Sequence, residues 1–451
     1  MIIDSEKIES AIEASRGASS ADAAAIIEKA GSGRGLSVFD AACLLSVEDA
    51  SIARLIHEKA GGLKERLFGK RVVLFAPLYL SNYCTNGCVY CGFRAANKDM
   101  ARRALAVDEA VAEARSIEAM GFKRVLLVTG EDPERGVDYV ASVVRAIYAK
   151  TGIRIIHVNA PPMDVEGFKA LKSAGVGVYQ SFQETYHRPT YAQVHPTGRK
   201  RDYDWRLSVM DRACEAGFGD VGIGPLLGLY DFRFDTLAAI AHSTHLYERF
   251  GSHAHTISVP RLRPADGAAL TDAVYPVTDA DLKRIVSVLR LAAPTAGVVI
   301  STREAAALRA ELTAVGATQL SAASRTNPGG YGNEATLEQF ATNDRRTLAE
   351  VMRSVARDGL LPSLCTTCYR VGRTGREFAE KTASGAMSSL CHVNAILTLK
   401  EYLEDYGSNG ADTALRKTLA ASIEEIADPV MKRAVLEKIA QIEAGKRDLF
   451  F

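Results

Sequence analysis

Two periods of apolar residues divide this chain. From residue 1 to about 70, apolar positions recur at helical spacing. Two helix starts there, Ser37-Val38-Phe39-Asp40 and Ser46-Val47-Glu48-Asp49, carry a Ser-x-x-Asp signature like a capping box with a shorter acid. Gly61-Gly62 interrupts the pattern. From about residue 71, short apolar runs alternate with helical stretches. The runs cover 72–80, 124–129, 153–158, 176–181, 220–224, 255–259, 297–301 and 317–321. Between the first two, Val107, Ala110, Val111, Ala114 and Ile117 repeat at helical spacing, and Gly121 stands where that helix would stop.

Eight strand-then-helix units predict an α/β fold, a parallel (β/α)8 barrel. Strands buried on both faces read as continuous apolar runs, and several of these do. After Gly332 the rhythm stops, and 333–451 reads as helices. The expected organisation is a helical lead-in over 1–70, a barrel over 71–332 and a helical C-terminal unit over 333–451. In such a barrel the reactive groups belong just after the strands, on the C-terminal face.

Three cysteines stand at that place after the first strand. Cys84, Cys88 and Cys91 have C-x3-C-x2-C spacing, with Tyr90 immediately before the third. Three thiolates on one loop can hold three irons of a [4Fe–4S] cluster and leave the fourth open to a ligand. Structural zinc wants four ligands, commonly from paired C-x2-C turns, and this loop offers three. A second triplet lies far along the chain, Cys365 and Cys368 in Cys365-Thr366-Thr367-Cys368, and Cys391 after 22 intervening residues. A second open cluster fits it. So does zinc, because His392 would complete a Cys3His set, although adjacent residues rarely ligate one ion without strain.

Other groups follow the strands. Gly130-Glu131 after the second could place a carboxylate on an ammonium group, or be a surface turn. Glu184 follows the fourth. Arg206, in Asp202-Tyr203-Asp204-Trp205-Arg206, is a candidate carboxylate contact or an exposed ion pair. Gly222 and Gly224 could admit a ligand or mark close packing. His255 begins the sixth run, as an iron ligand or a hydrogen-bonded barrel histidine. Ser324 and Arg325, in Ser324-Arg325-Thr326-Asn327-Pro328-Gly329-Gly330-Tyr331, suit a substrate carboxylate, or form the turn that leaves the barrel.

Composition narrows the class. Lys plus Arg number 55 against 54 Asp plus Glu, so the net charge of +1 gives no reason to expect nucleic acid or an anionic membrane. No apolar run is long enough to span a bilayer, and the N-terminus lacks the apolar stretch of a signal peptide, so a cytoplasmic location is expected. Eight cysteines in such a chain point to metal before disulfides. Cys43 and Cys214, outside the triplets, read as buried structural thiols.

With both triplets in view, the chain resembles the HydG family, the radical SAM tyrosine lyases of [FeFe]-hydrogenase maturation. The resemblance rests on Ser81-Asn82-Tyr83-Cys84 with Cys88 and Cys91, Glu184 to Tyr191, Asp202 to Arg206, Gly228-Leu229-Tyr230-Asp231 and His255 to Arg263. In the tail it rests on Cys365 to Arg376, Cys391 and Asn394-Ala395-Ile396-Leu397. It runs nearly end to end, and the C-x2-C-x22-C tail is its specific part. It implies two [4Fe–4S] clusters, S-adenosyl-L-methionine as cofactor, and L-tyrosine cleaved to p-cresol and dehydroglycine. Dehydroglycine then becomes CO and cyanide at the second cluster. That cluster is implied to carry an additional iron, bridged by a free cysteine molecule and ligated by His255. Tyr90, Gly130, Glu131, Glu184 and Arg206 are the implied cofactor contacts. Implied partners are the maturation proteins HydE and HydF and a low-potential donor such as ferredoxin or flavodoxin. The two clusters are expected at opposite ends of one internal passage. A single-cluster lyase making dehydroglycine (2-iminoacetate) for thiamine, with zinc in the tail, is the alternative. A non-catalytic iron–sulfur carrier is a third reading.

Overall fold

The computed structural model describes residues 2–332, 337–408 and 410–451. Eight parallel strands close on themselves: β1 (Arg71–Ser81), β2 (Arg124–Thr129), β3 (Ile155–Asn159), β4 (Val176–Gln180), β5 (Asp220–Ile223), β6 (Thr256–Ser258), β7 (Gly297–Ile300) and β8 (Gln319–Ser321). β1 closes the barrel by pairing with β8 at Val73–Phe75 and with β2 from Ala76 upward. Apolar side chains of these strands and of the helices around them form one continuous core. The strands are buried on both faces, and the connecting helices cover the outer one.

A ninth strand was not legible. β9 (Leu361–Ser363) pairs in parallel with the lower end of β1, Arg71 opposite Leu361 and Val73 opposite Ser363. It is three residues long and contains Pro362, which an edge strand tolerates because one side of its backbone needs no partner. Its effect is to deliver Cys365 to the N-terminal end of the barrel. The expected start of the helical segment, 333, lies outside the described residues.

The N-terminal region forms four helices, Ser5–Ser15, Ser20–Ala30, Val38–Ser46 and Ala50–Phe68. Ser37 and Asp40 make the expected capping box. Ser46 does not. It ends its helix, and Asp49 caps the next one by accepting from Ser51 N at 2.7 Å and Ile52 N at 3.3 Å. Gly61-Gly62 does not break that helix either. A Cβ on Gly61 would stand 2.6 Å from Ala314 O, so the glycine permits a close approach to the barrel wall. The Val107–Ala119 helix ends as expected, with Gly121 at φ +106°.

Candidate functional site

The loop after β1 is fastened at both ends. Thr85 N donates to Glu131 O at 3.0 Å, Gly87 N to Thr197 O at 3.1 Å and Val89 N to Val194 O at 3.1 Å. Gly130 is required for this. A Cβ there would lie 2.1 Å from Tyr83 O, inside the loop backbone. Cys88 is buried, and Cys84 and Cys91 are half-buried. Burial pushes the Cys88 thiol up, and the Cys91 thiol up to about 12. Only a cationic partner would bring such thiols to the thiolate form near neutral pH. Donors are already turned to the sulfurs: Asn86 Nδ2 stands 3.7 Å from Cys84 Sγ, and Gln339 Nε2 stands 3.7 Å from Cys91 Sγ. This donor set fits a bound cluster.

A ring of charge borders the loop. Asn86 donates to the Glu131 carboxylate and accepts from Lys200 N at 2.9 Å. Lys200 Nζ pairs with Glu184 Oε1 at 2.6 Å, both side chains largely buried. Glu184 sits at φ +71°, a left-handed conformation that costs a non-glycine residue energy and often marks a functional position. Arg206 is not the exposed ion pair that its Asp-rich surroundings allowed. Its Nη1 donates to Ser181 Oγ at 3.0 Å and its buried Nε has no partner. Tyr90 is held by a 2.8 Å hydrogen bond between its hydroxyl and His195 Nε2. Gly222 and Gly224 serve packing: a Cβ on either would strike Thr256 and Gln180 or Ser258.

Below this ring lies a cavity of about 160 Å³ inside the barrel. Tyr90, Cys91, Glu184 and Ser324 line it, and the Ser324 hydroxyl has no partner. Arg325 instead lines an outer groove with Asp266 and Arg345. The guanidinium that reaches the cavity is that of Arg303, two residues after Ser301 on the seventh βα loop and stacked over Phe340 at 3.4 Å. Sequence reasoning missed it, although a charge directly after a barrel strand was the available signal.

The second triplet gathers at the opposite end. Cys365, Cys368 and Cys391 line one cavity with His255, Arg71 and Arg124, which stand at the N-terminal ends of β6, β1 and β2. The cysteines come from three places: the turn after β9, the short helix Thr367–Arg370 and the helix Ala386–Tyr406. Thr367 N lies 3.4 Å from Cys365 Sγ, a donor suited to a thiolate. His392 is turned away, its Nε2 2.8 Å from Ser422 O. Among the described residues, no three His, Cys, Asp or Glu side chains gather about one metal-ion position. A Cys3His zinc set would need His392, which is turned away from the three thiols.

The two cavities share no lining residue. Gln180 lines the upper one and stands 3.5 Å from His157 Nδ1, and the His157 ring lies 5.6 Å from Tyr369, which lines the lower. A polar layer therefore separates them, and the expected passage requires these side chains to move. Cys43 is buried and Cys214 half-buried, and both are free. No helix among the described residues is long and apolar enough to cross a membrane.

Comparison with known proteins agrees with this architecture. Residues 78–241 match the Radical SAM superfamily, and residues 258–361 match the Biotin and Thiamin Synthesis associated domain. The 2-iminoacetate synthase of Salmonella typhimurium is 34% identical over 345 residues, 75% of this chain and 89% of that protein. The crystal structure of HydG, a maturase of the [FeFe]-hydrogenase, superposes with a TM-score of 0.97 at 44% identity over 100% of both chains. HydG from Carboxydothermus hydrogenoformans does so with a TM-score of 0.86 at 36% identity, covering 96% of this chain and 97% of that one. A [4Fe–4S] cluster and S-adenosylmethionine follow from the superfamily. With its barrel, its cysteine loop and this likeness end to end, the chain belongs to the radical SAM enzymes, in the HydG family of [FeFe]-hydrogenase maturases.

Proposed function

We propose that this enzyme is a carbon–carbon lyase that splits L-tyrosine into p-cresol and dehydroglycine. It then converts dehydroglycine to CO and cyanide at a second iron–sulfur cluster, building an Fe–CO–CN precursor of the hydrogenase cofactor. The observation that carries this reading is the second cysteine triplet, set with His255 at the far end of the same barrel. The tail that bears it lies beyond 361, where the match to the thiamine-associated domain ends.

The atoms balance. Tyrosine divides at Cα–Cβ into p-cresol and dehydroglycine, and dehydroglycine divides into CO, hydrogen cyanide and water. Cys84, Cys88 and Cys91 would hold the cluster, which when bound and reduced would supply one electron for the cleavage of S-adenosylmethionine to methionine and a 5′-deoxyadenosyl radical. Glu131 suits the ammonium of that cofactor, and Arg206, with its free buried N–H, suits an anionic or ribose oxygen. Lys200 fixes Glu184 at the cavity mouth. Arg303 and Ser324 are better placed than Arg325 for the tyrosine carboxylate, since both line the inner cavity. The apolar wall of Phe75, Leu126 and Val299 keeps water from a reactive carbon radical. At the far end Cys365, Cys368 and Cys391 hold the second cluster. His255 Nε2 is the ligand for an additional iron bridged by free cysteine, an iron that leaves with the product and so counts as substrate. HydE, HydF and a ferredoxin- or flavodoxin-like donor complete the setting.

Anaerobically reconstituted protein given dithionite, S-adenosylmethionine and tyrosine should form p-cresol and 5′-deoxyadenosine. Absence of p-cresol would contradict the reading. The second reading is a 2-iminoacetate synthase, favoured by the 34% identity to the Salmonella typhimurium enzyme. Such a protein would make p-cresol and release dehydroglycine, which hydrolyses, with no CO or cyanide.

A further inference from the structure

The lower cavity holds buried cationic N–H donors that no protein group meets. Arg71 and Arg124 are 7% and 5% exposed, and both reach this cavity. Arg124 Nη2 donates to Cys365 O at 2.8 Å, but its Nε has no partner. Arg71 Nε and Nη1 have none either. A further polar atom of the same lining, Thr318 Oγ1, is also buried and unsatisfied. Leaving a buried donor unpaired is costly, and more so for a charged one. Three such groups on one small cavity describe a ligand site.

The two arginines are not equivalent. Arg71 lines the cavity beside all three cysteine thiols, Cys391 first, with Lys64 and Arg290 also within reach of its charge. Arg124 reaches Cys365 alone of the three and extends toward the upper layer. Its guanidinium is 5.2 Å from the Tyr369 ring, and its charge acts on His157, in the layer that faces the upper cavity. Asp220, a carboxylate among the described residues at this end, pairs with neither arginine in the hydrogen bonds and ion pairs it makes. Its Oδ1 accepts from Gly375 N at 2.9 Å and stands 3.3 Å from His255 Nδ1. A planar guanidinium with a free edge selects a carboxylate, which it binds through paired N–H donors.

We propose that Arg124, with Arg71 beside it, forms an anion site that holds the carboxylate of a small α-amino or α-imino acid next to the second cysteine triplet. This rests on the reading that dehydroglycine is processed there. Two acids share the required chemistry: dehydroglycine arriving from the upper cavity, and the free cysteine on the additional iron. In either case the site fixes the acid end and leaves the nitrogen or sulfur end directed at the metal.

The test uses the full-length reconstituted protein, with Arg124→Gln, Arg124→Lys and Arg71→Gln variants, and iron and sulfide counted in each. Anaerobic titration calorimetry measures binding of L-cysteine, of cysteamine, which lacks only the carboxylate, and of glyoxylate as a stable two-carbon acid. The parent should bind cysteine at least tenfold more tightly than cysteamine. Arg124→Gln should lose that preference with its iron content unchanged, and Arg124→Lys should keep part of it. Loss confined to glyoxylate would also support the site and assign it to the two-carbon intermediate. The proposal is overturned if Arg124→Gln binds all three probes as the parent does. It is overturned too if both glutamine variants lose the second cluster's iron and sulfide, which would make the arginines counter-charges to the cluster. p-Cresol formation is assayed on the same preparations. A parent that binds the acids but makes no p-cresol removes the proposed function and leaves the site standing; p-cresol without any acid binding removes the site alone.

Discussion

His255 and Tyr369 hold each other across the base of the barrel, the histidine Nε2 and the tyrosine hydroxyl 2.9 Å apart. The other ring nitrogen stands 3.3 Å from Asp220 Oδ1, the place of a carboxylate that orients a metal-bound imidazole. If Nε2 takes the additional iron, it must first give up Tyr369. A neutral hydrogen bond is worth about 1 kcal/mol net, so Tyr369→Phe should tighten iron binding by roughly fivefold. Iron titration against a competing chelator measures this. His255→Ala should abolish the extra iron while leaving p-cresol formation intact. Weaker iron binding in Tyr369→Phe would mean that the hydroxyl supports the metal.

Arg206 carries a buried charge with one N–H unused. A charge-assisted hydrogen bond contributes about 1.5–3 kcal/mol, so Arg206→Gln should weaken S-adenosylmethionine binding by a factor of about 10 to 100. Equilibrium binding to the reconstituted protein gives the number. An unchanged dissociation constant would remove Arg206 from the cofactor site.

Arg303 and Arg325 offer a paired comparison. Arg303→Gln should raise the KM for tyrosine by about tenfold or more, the cost of losing a charge-assisted contact to a carboxylate. S-adenosylmethionine cleavage in the absence of tyrosine should persist. Arg325→Gln, in the outer groove, should change KM little. Steady-state p-cresol kinetics on the two variants decide which arginine reads the substrate, and the reverse ranking would restore Arg325.

Asp235 and His242 both touch Tyr186, Asp235 through the backbone N at 2.7 Å and His242 through the hydroxyl at 3.2 Å. Burial raises the Asp235 carboxyl to about 7 and lowers His242 to about 3. Folded Asp235 keeps its proton where the unfolded chain has lost it, so its contribution is present below about pH 4 and is lost as pH rises through 7. His242 works oppositely, adding stability as pH rises from about 3 to 6.5. Asp235→Asn cannot ionise. Its stability relative to the parent should therefore rise between pH 4.5 and 7.5, by up to about 4 kcal/mol at 1.36 kcal/mol per pKa unit. Denaturation curves that stay parallel across that range would contradict this.

The barrel was legible because its strands are buried on both faces and several of them read as unbroken apolar runs. The elements that escaped are those whose signal is not periodic. β9 is three residues with a proline, and its place is set by pairing with β1 rather than by its own pattern. Ser46 carried a capping signature, but Asp49 sits at the actual boundary. The cysteines announced themselves by spacing alone. The arginines of the lower cavity did not, because Arg71 and Arg124 stand at the N-terminal ends of strands, where a barrel's chemistry is not sought, and only the arrival of the tail makes that end a site. Arg303 lay in the expected zone after a strand, yet a lone charge after one of eight strands is a weak signal until the cavity is seen.

The most direct measurement of the two-centre account is infrared spectroscopy of the reconstituted protein turning over 13C-labelled tyrosine, beside a Cys365→Ser/Cys368→Ser variant. Iron-bound CO and CN stretching bands should appear in the parent and shift with the label. In the variant they should vanish while p-cresol continues to form. The same bands in both proteins, or p-cresol with no bands in either, would contradict a second centre that converts dehydroglycine.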